Sequence, residues 1–68
     1  MKITRAISGW IEALIWENNV LEVWLRKGDV YEYYGVSKDT YLALFSNGPC
    51  GKNFNKLIKG QYIYHQLL

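Results

Sequence analysis

The chain has one cysteine and one histidine among its 68 residues. A single cysteine cannot form an internal disulfide. One cysteine with one histidine also falls short of the three or four ligands of a zinc site. No metal and no resident cofactor are expected. Long apolar runs are missing as well: no stretch approaches the ~18 residues of a membrane-spanning helix. The N-terminal MKITRAISGW is basic but lacks the apolar run of a signal peptide, so a cytoplasmic location is expected, which a lone reduced thiol suits. Charge of one sign is scarce too. Lys and Arg number 8 against 6 Asp and Glu, a net charge of +2. That is not the strongly basic balance of a protein coating a nucleic-acid backbone, so anion binding must come from local placement of Lys and Arg.

Aromatic side chains are plentiful. Trp 3, Tyr 6 and Phe 2 make up 16% of the chain. Each buries roughly 150–250 Å², enough for the set to dominate a core or an interface. Residues 1–68 suffice for one small domain with a modest core. Dense aromatic packing and oligomerisation are the remaining sources of extra stability.

Three strands are read over residues 8–36. The first, Ser8–Trp16, is rich in Trp and Ile, and Glu17-Asn18-Asn19 ends it with turn chemistry. In the second, Val20–Arg26, Leu21, Val23 and Leu25 alternate with Glu22, Trp24 and Arg26. Lys27-Gly28-Asp29 forms a hairpin loop with Gly28 at positive φ. The third strand, Val30–Val36, sets Tyr31 and Tyr33 against Glu32 and Tyr34. Ser37 is a helix N-cap, with Asp39 in the first turn and Tyr41, Leu44 and Phe45 at helical spacing. A second helix follows Cys50-Gly51 and runs to Lys59, with Phe54, Leu57 and Ile58 on one side, and Gly60 stops it. Gln61–Leu68 is extended and offers a fourth, edge strand. The order βββαα implies an α+β domain: a three-stranded antiparallel β-meander, or four-stranded with that edge, packed against one or two short helices.

The ordered series Ile11…Leu14, Leu21-x-Val23, Gly28, Tyr31-x-Tyr33, Val36, Tyr41, Leu44, Gly51, Phe54-Asn55, Ile58 and Tyr62-x-Tyr64 resembles the KTSC domain family. The family takes its name from an appendage at the C-terminus of some lysyl-tRNA synthetases. It also occurs as free-standing short proteins in bacteria and their phages. The resemblance covers roughly residues 8–64. Val36-Ser37 stands where the family often has Val-Pro, Trp16-Glu17 where it has Tyr-Asp, and Pro49 where it has a serine. The last change removes a hydroxyl and an N–H. The resemblance implies RNA binding, by association with the synthetase, and brings no catalytic residues.

Catalysis has little to draw on. Cys50 and His65 are the one thiol–imidazole pair, and no orienting group or oxyanion site accompanies them. A non-enzymatic module is expected. Gly48-Pro49-Cys50-Gly51-Lys52 is a glycine-containing turn entering a helix, a setting that attracts phosphate. Lys52, Lys56 and Lys59 fall on one helix face at i, i+4 and i+7, which is either a phosphate-binding face or a solvated one. On the sheet, Trp24, Arg26 and Tyr34 face away from the helices, with Trp10 or Trp16 joining according to register. They form an oligomer interface, a stacking platform for bases, or part of a core. Tyr31 and Tyr33 pack as core or reach a pocket rim near Asn55, which ties a loop or bonds a ligand.

The leading expectation is a homo-oligomer that binds or sequesters a phosphate-bearing nucleotide. Its contacts would be Gly51, Lys52, Asn55, Lys56, Lys59, Tyr31 and Tyr33, with Trp24, Arg26, Tyr34 and Trp16 at an interface or stacking face. In a phage, the ligand would be a host immune signal in the bacterial cytoplasm. The alternatives are an RNA-binding module and a protein-interaction module using the aromatic sheet face.

Overall fold

The computed structural model describes residues 2–7 and 9–68. Five strands form one antiparallel meander in the order β1-β2-β3-β4-β5: β1 Lys2–Ala6, β2 Ile11–Glu17, β3 Val20–Leu25, β4 Val30–Tyr34 and β5 Tyr64–Gln66. Helices α1 (Lys38–Ala43) and α2 (Cys50–Leu57) lie between β4 and β5 in sequence. The α+β class and the central three-stranded meander are as expected. The C-terminal edge strand is present, and β1 is an addition to it. Ser8, the expected start of the first strand, lies outside the described residues.

The turns follow from local chemistry. Asn18 and Asn19 join β2 to β3 with φ of 50° and 63°, the left-handed pair of a two-residue hairpin turn. Gly28 takes a φ of 113° between β3 and β4. The Ser37 hydroxyl accepts from the Thr40 N–H at 3.1 Å and caps α1. Asn53 of α2 donates to the carbonyls of Leu44 and Ser46 at 3.0 and 2.7 Å, tying α2 to the end of α1.

Both helices pack on one face of the sheet. Register places Leu14 opposite Val23, Trp16 opposite Leu21, and Tyr33 opposite Leu21 on β3's other side. These residues form the core with Tyr41 and Leu44 around α1, and Phe54 and Ile58 around α2. Each large apolar side chain so buried contributes about 1.5–3 kcal/mol. A β-bulge at Ile11/Ala13 in β2 restores this pattern at the strand's start, so that Ile11 pairs with Leu25 and is buried while Glu12 is exposed.

Among the described residues, no helix lies over the outer face of the sheet. Trp24 and Tyr34 lie there as expected, each more than a third exposed. Trp24 donates to Glu22 at 2.6 Å and Tyr34 to Glu32 at 2.9 Å. Trp16 is a correction to the expected interface set. Its ring faces the helices, is 9% exposed, and stacks on Tyr41 at 6.3 Å. Its pairing with the fully buried Leu21 fixes that direction.

Candidate ligand-binding cleft

At the C-terminal end of α2 the helices stop short of covering the sheet. The uncovered part of the inner face is a cleft of about 830 Å³. Its sheet side is Val23, Leu25, Tyr31, Tyr33 and Tyr64. Its helix side is Phe54 and Asn55 of α2, with Lys59 and Gly60 just beyond. Gly9-Trp10 and Arg26-Lys27 close the near end.

The aromatic rings form one continuous band. Trp10 meets Phe54 edge-on at 5.8 Å, and Phe54 meets Tyr33 edge-on at 5.5 Å. Tyr33 lies 5.4 Å from Tyr64, which meets Tyr31 edge-on at 5.8 Å. Phe54 and Tyr33 are buried and form the floor. Trp10 and Tyr64 are 45% and 57% exposed, so open ring surface remains on either side of the Phe54–Tyr33 floor. Such surfaces suit a flat aromatic ligand. Burial pushes the Tyr33 phenol above the ordinary tyrosine range, and Tyr64 and Tyr31 add to the shift.

No carboxylate lines the cleft among the described residues, whereas three cations do. These cations are not equally available. The Arg26 guanidinium donates to backbone carbonyls of Gly9, Ile7 and Ile11 at 2.7, 2.9 and 3.4 Å. Lys27 lies 3.4 Å from the Asp29 carboxylate. Lys59 makes no ion pair among the described residues, and the exposed Asn55 amide makes no hydrogen bond there. The cleft therefore offers the unpaired Lys59 ammonium and Asn55 amide beside its aromatic band, with Lys27 in a solvent-exposed ion pair at the near end.

Four of the residues expected to meet a ligand come together here: Tyr31, Tyr33, Asn55 and Lys59. Tyr33 is both core and cleft floor, and Tyr31 is half-buried against that core. Lys52 and Lys56 are exposed on α2 and do not line the cleft. Lys59 lies past the end of α2, so the three lysines do not share one helical face. Gly51 has another task than holding phosphate. A Cβ at that position would overlap the Trp10 indole nitrogen, so the glycine admits the ring against the first turn of α2. Arg26 is a second correction: β3 ends at Leu25, and the guanidinium turns to the inner side of the sheet instead of joining Trp24 and Tyr34.

Trp10, one of the two tryptophans offered for the outer stacking face, lies in the cleft against Gly51 instead, while Phe54, Tyr64 and Lys27 were not singled out as ligand contacts from the sequence. Tyr64 had a readable signal, because Tyr33 pairs with it directly once Gln61–Leu68 is taken as a strand. Cys50 and His65 are not brought together. The thiol packs against the core on the helix side, where burial pushes its pKa up. His65 pairs with Glu32, one position out of phase with the inward Tyr33–Tyr64 pair.

Comparison with known proteins places this geometry. The KTSC domain family model matches residues 8–62. Among solved structures, the crystal structure of a KTSC domain protein from Yersinia pestis superposes with a TM-score of 0.85 at 24% identity, covering 100% of both chains. At that identity the likeness speaks for the fold. No curated protein matches the sequence.

Proposed function

The chain belongs to the KTSC domain family, and we propose that its cleft binds, without transforming it, a phosphate-bearing nucleotide. The observation that carries this reading is an aromatic band with cations and no carboxylates, among the described residues, in one cleft. The base stacks on the open surface of Trp10 or Tyr64. Lys59 and Asn55 hold the phosphate. Stacking contributes about 1–3 kcal/mol per base. A charge-assisted hydrogen bond contributes about 1.5–3 kcal/mol. The cleft volume of about 830 Å³ falls within the usual range of small-molecule sites.

The test is thermal denaturation against mono-, di- and cyclic nucleotides, followed by calorimetric titration of those that stabilise. A ligand at a hundredfold excess over its Kd stabilises by about 2.7 kcal/mol. A panel that leaves the melting temperature unmoved overturns the reading. Tight binding of mixed single-stranded RNA with steep salt dependence would replace it with the RNA-binding alternative.

The assembly reading rests on a separate observation. Trp24 and Tyr34 are exposed on the uncovered sheet face, and Ile63 and Leu68 are exposed beside β5. Aromatic side chains in such a position are enriched at interfaces between chains. A second copy of the chain is the proposed occupant, and light scattering decides it. Wild-type protein at a multiple of the chain mass, reduced to one chain by Trp24→Glu, supports it. Wild-type protein at the mass of one chain overturns it.

A further inference from the structure

Arg26 binds four carbonyls of the segment that carries Trp10. Its backbone N–H donates to the Trp10 carbonyl at 2.9 Å. Its Nε donates to Gly9, and its Nη2 to Ile7 and Ile11. These acceptors lie between the β1–β2 ladder, which ends at Ala6–Ala13, and the bulge at the start of β2. Gly9 has a φ of 91°, a backbone conformation that glycine adopts without steric cost.

Trp10 itself is held from one side. Nearly half its surface is open, and the ring is packed on one side only, edge-on against Phe54 and close against Gly51. We infer that Arg26 is the positioning residue of the cleft: its guanidinium fork fixes the backbone around Trp10 and thereby sets the indole as a rigid wall opposite Tyr64. A planar fork holds several acceptors in a fixed arrangement, which an ammonium of equal charge cannot do. The cation is thereby committed to the protein, which leaves ligand charge to the lysines of the cleft, Lys59 first and Lys27 beside its exposed ion pair. This last step rests on the cleft being a nucleotide site; the positioning of Trp10 does not.

The experiment reads Trp10 directly. In a Trp24→Phe background Trp10 is the one exposed indole, because Trp16 is buried. Arg26→Lys keeps the charge and the backbone bond and loses the fork. Arg26→Met keeps the stem and loses the charge. Both variants are expected to red-shift Trp10 emission and raise its quenching by acrylamide, while cooperative unfolding persists. Unchanged emission and quenching in folded Arg26→Lys and Arg26→Met overturn the assignment. Loss of folding in both also overturns it, in favour of a general structural role. The nucleotide panel is then run on Arg26→Lys. A nucleotide that stabilises wild type is expected to stabilise the variant less, and equal stabilisation removes Arg26 from the binding function. A panel silent on wild type overturns the nucleotide reading alone and leaves the positioning of Trp10 to be judged by its emission.

Discussion

The indole N–H of Trp16 donates to the carbonyl of Val36 at 2.8 Å, a buried bond across 20 positions of chain. Val36 follows β4 and leads into α1, so the bond ties β2 to the point where the chain leaves the sheet. Trp16→Phe keeps an aromatic ring in the core and strands that carbonyl. An unsatisfied buried acceptor costs about 1–3 kcal/mol. The urea midpoint is expected to fall by a corresponding amount with an unchanged m-value. An unchanged midpoint would show that the Val36 carbonyl is satisfied without the indole.

The N–H of Val36 is also engaged, donating to the Asn19 carbonyl at 2.9 Å. Asn19 has a φ of 63°, where ordinary side chains cost about 1–2 kcal/mol. Asn19→Val is expected to destabilise by about that amount. Asn19→Gly should be close to neutral, because glycine accepts this conformation freely. Paired urea titrations check the difference. Equal stability of the two variants would mean that the turn does not depend on positive φ at this position.

Much of the fold was legible because periodicity and turn chemistry agreed. Val20–Leu25 and Tyr31–Tyr33 alternate, and both hairpins have residues that accept positive φ. β1 lacked such a signal. Its inward positions are Ile3 and Arg5, and Arg5 completes the core edge by lying 4.4 Å from the Phe45 ring centroid. A cation over an aromatic ring takes the place of the second apolar residue that would have advertised the strand. Trp16 was ambiguous for the opposite reason: Ile11–Trp16 carries apolar residues on both faces, so only register decides which is buried. Arg26 shows the limit of extrapolated alternation, which lapses where β3 ends at Leu25. The cleft was half visible. Tyr31, Tyr33, Asn55 and Lys59 were readable as candidates, but the fit of Trp10 against Gly51 joins positions far apart in sequence, and no local pattern records it.

Alkaline pH should destabilise the protein through Tyr33 and Tyr41. Burial raises the phenol pKa of both above the ordinary tyrosine value of 10.0. The folded state then holds its phenolic protons to higher pH than the unfolded state. The stabilisation is fully present below the unfolded pKa of about 10 and is lost as pH rises toward the folded values. The Cys50 thiol, also raised by burial, is expected to start a fall in the urea midpoint above about pH 8.5, and the two tyrosines to steepen it above about pH 10. Tyr33→Phe and Tyr41→Phe should each flatten part of that fall. An alkaline slope unaffected by both variants would assign the loss to other groups.

The lysines separate the two ligand readings. Only Lys59 of the three reaches the cleft, while Lys52 and Lys56 stand on the exposed surface of α2. For a nucleotide that stabilises the wild type, Lys59→Ala removes one charge-assisted contact of about 1.5–3 kcal/mol, a loss in affinity of about tenfold or more. Lys52→Ala and Lys56→Ala change only distant, screened charges, and are expected to stay within about twofold. Salt gives a second axis. One phosphate contact implies a slope in log Kd against log salt no steeper than about 0.7, whereas a polynucleotide tracking all three lysines would add a similar increment for each. Titrations at low and moderate salt with the three single variants therefore give opposite patterns. Dependence concentrated in Lys59 with a shallow slope supports a small ligand in the cleft. Equal losses at all three positions with a steep slope support a nucleic-acid strand lying along α2.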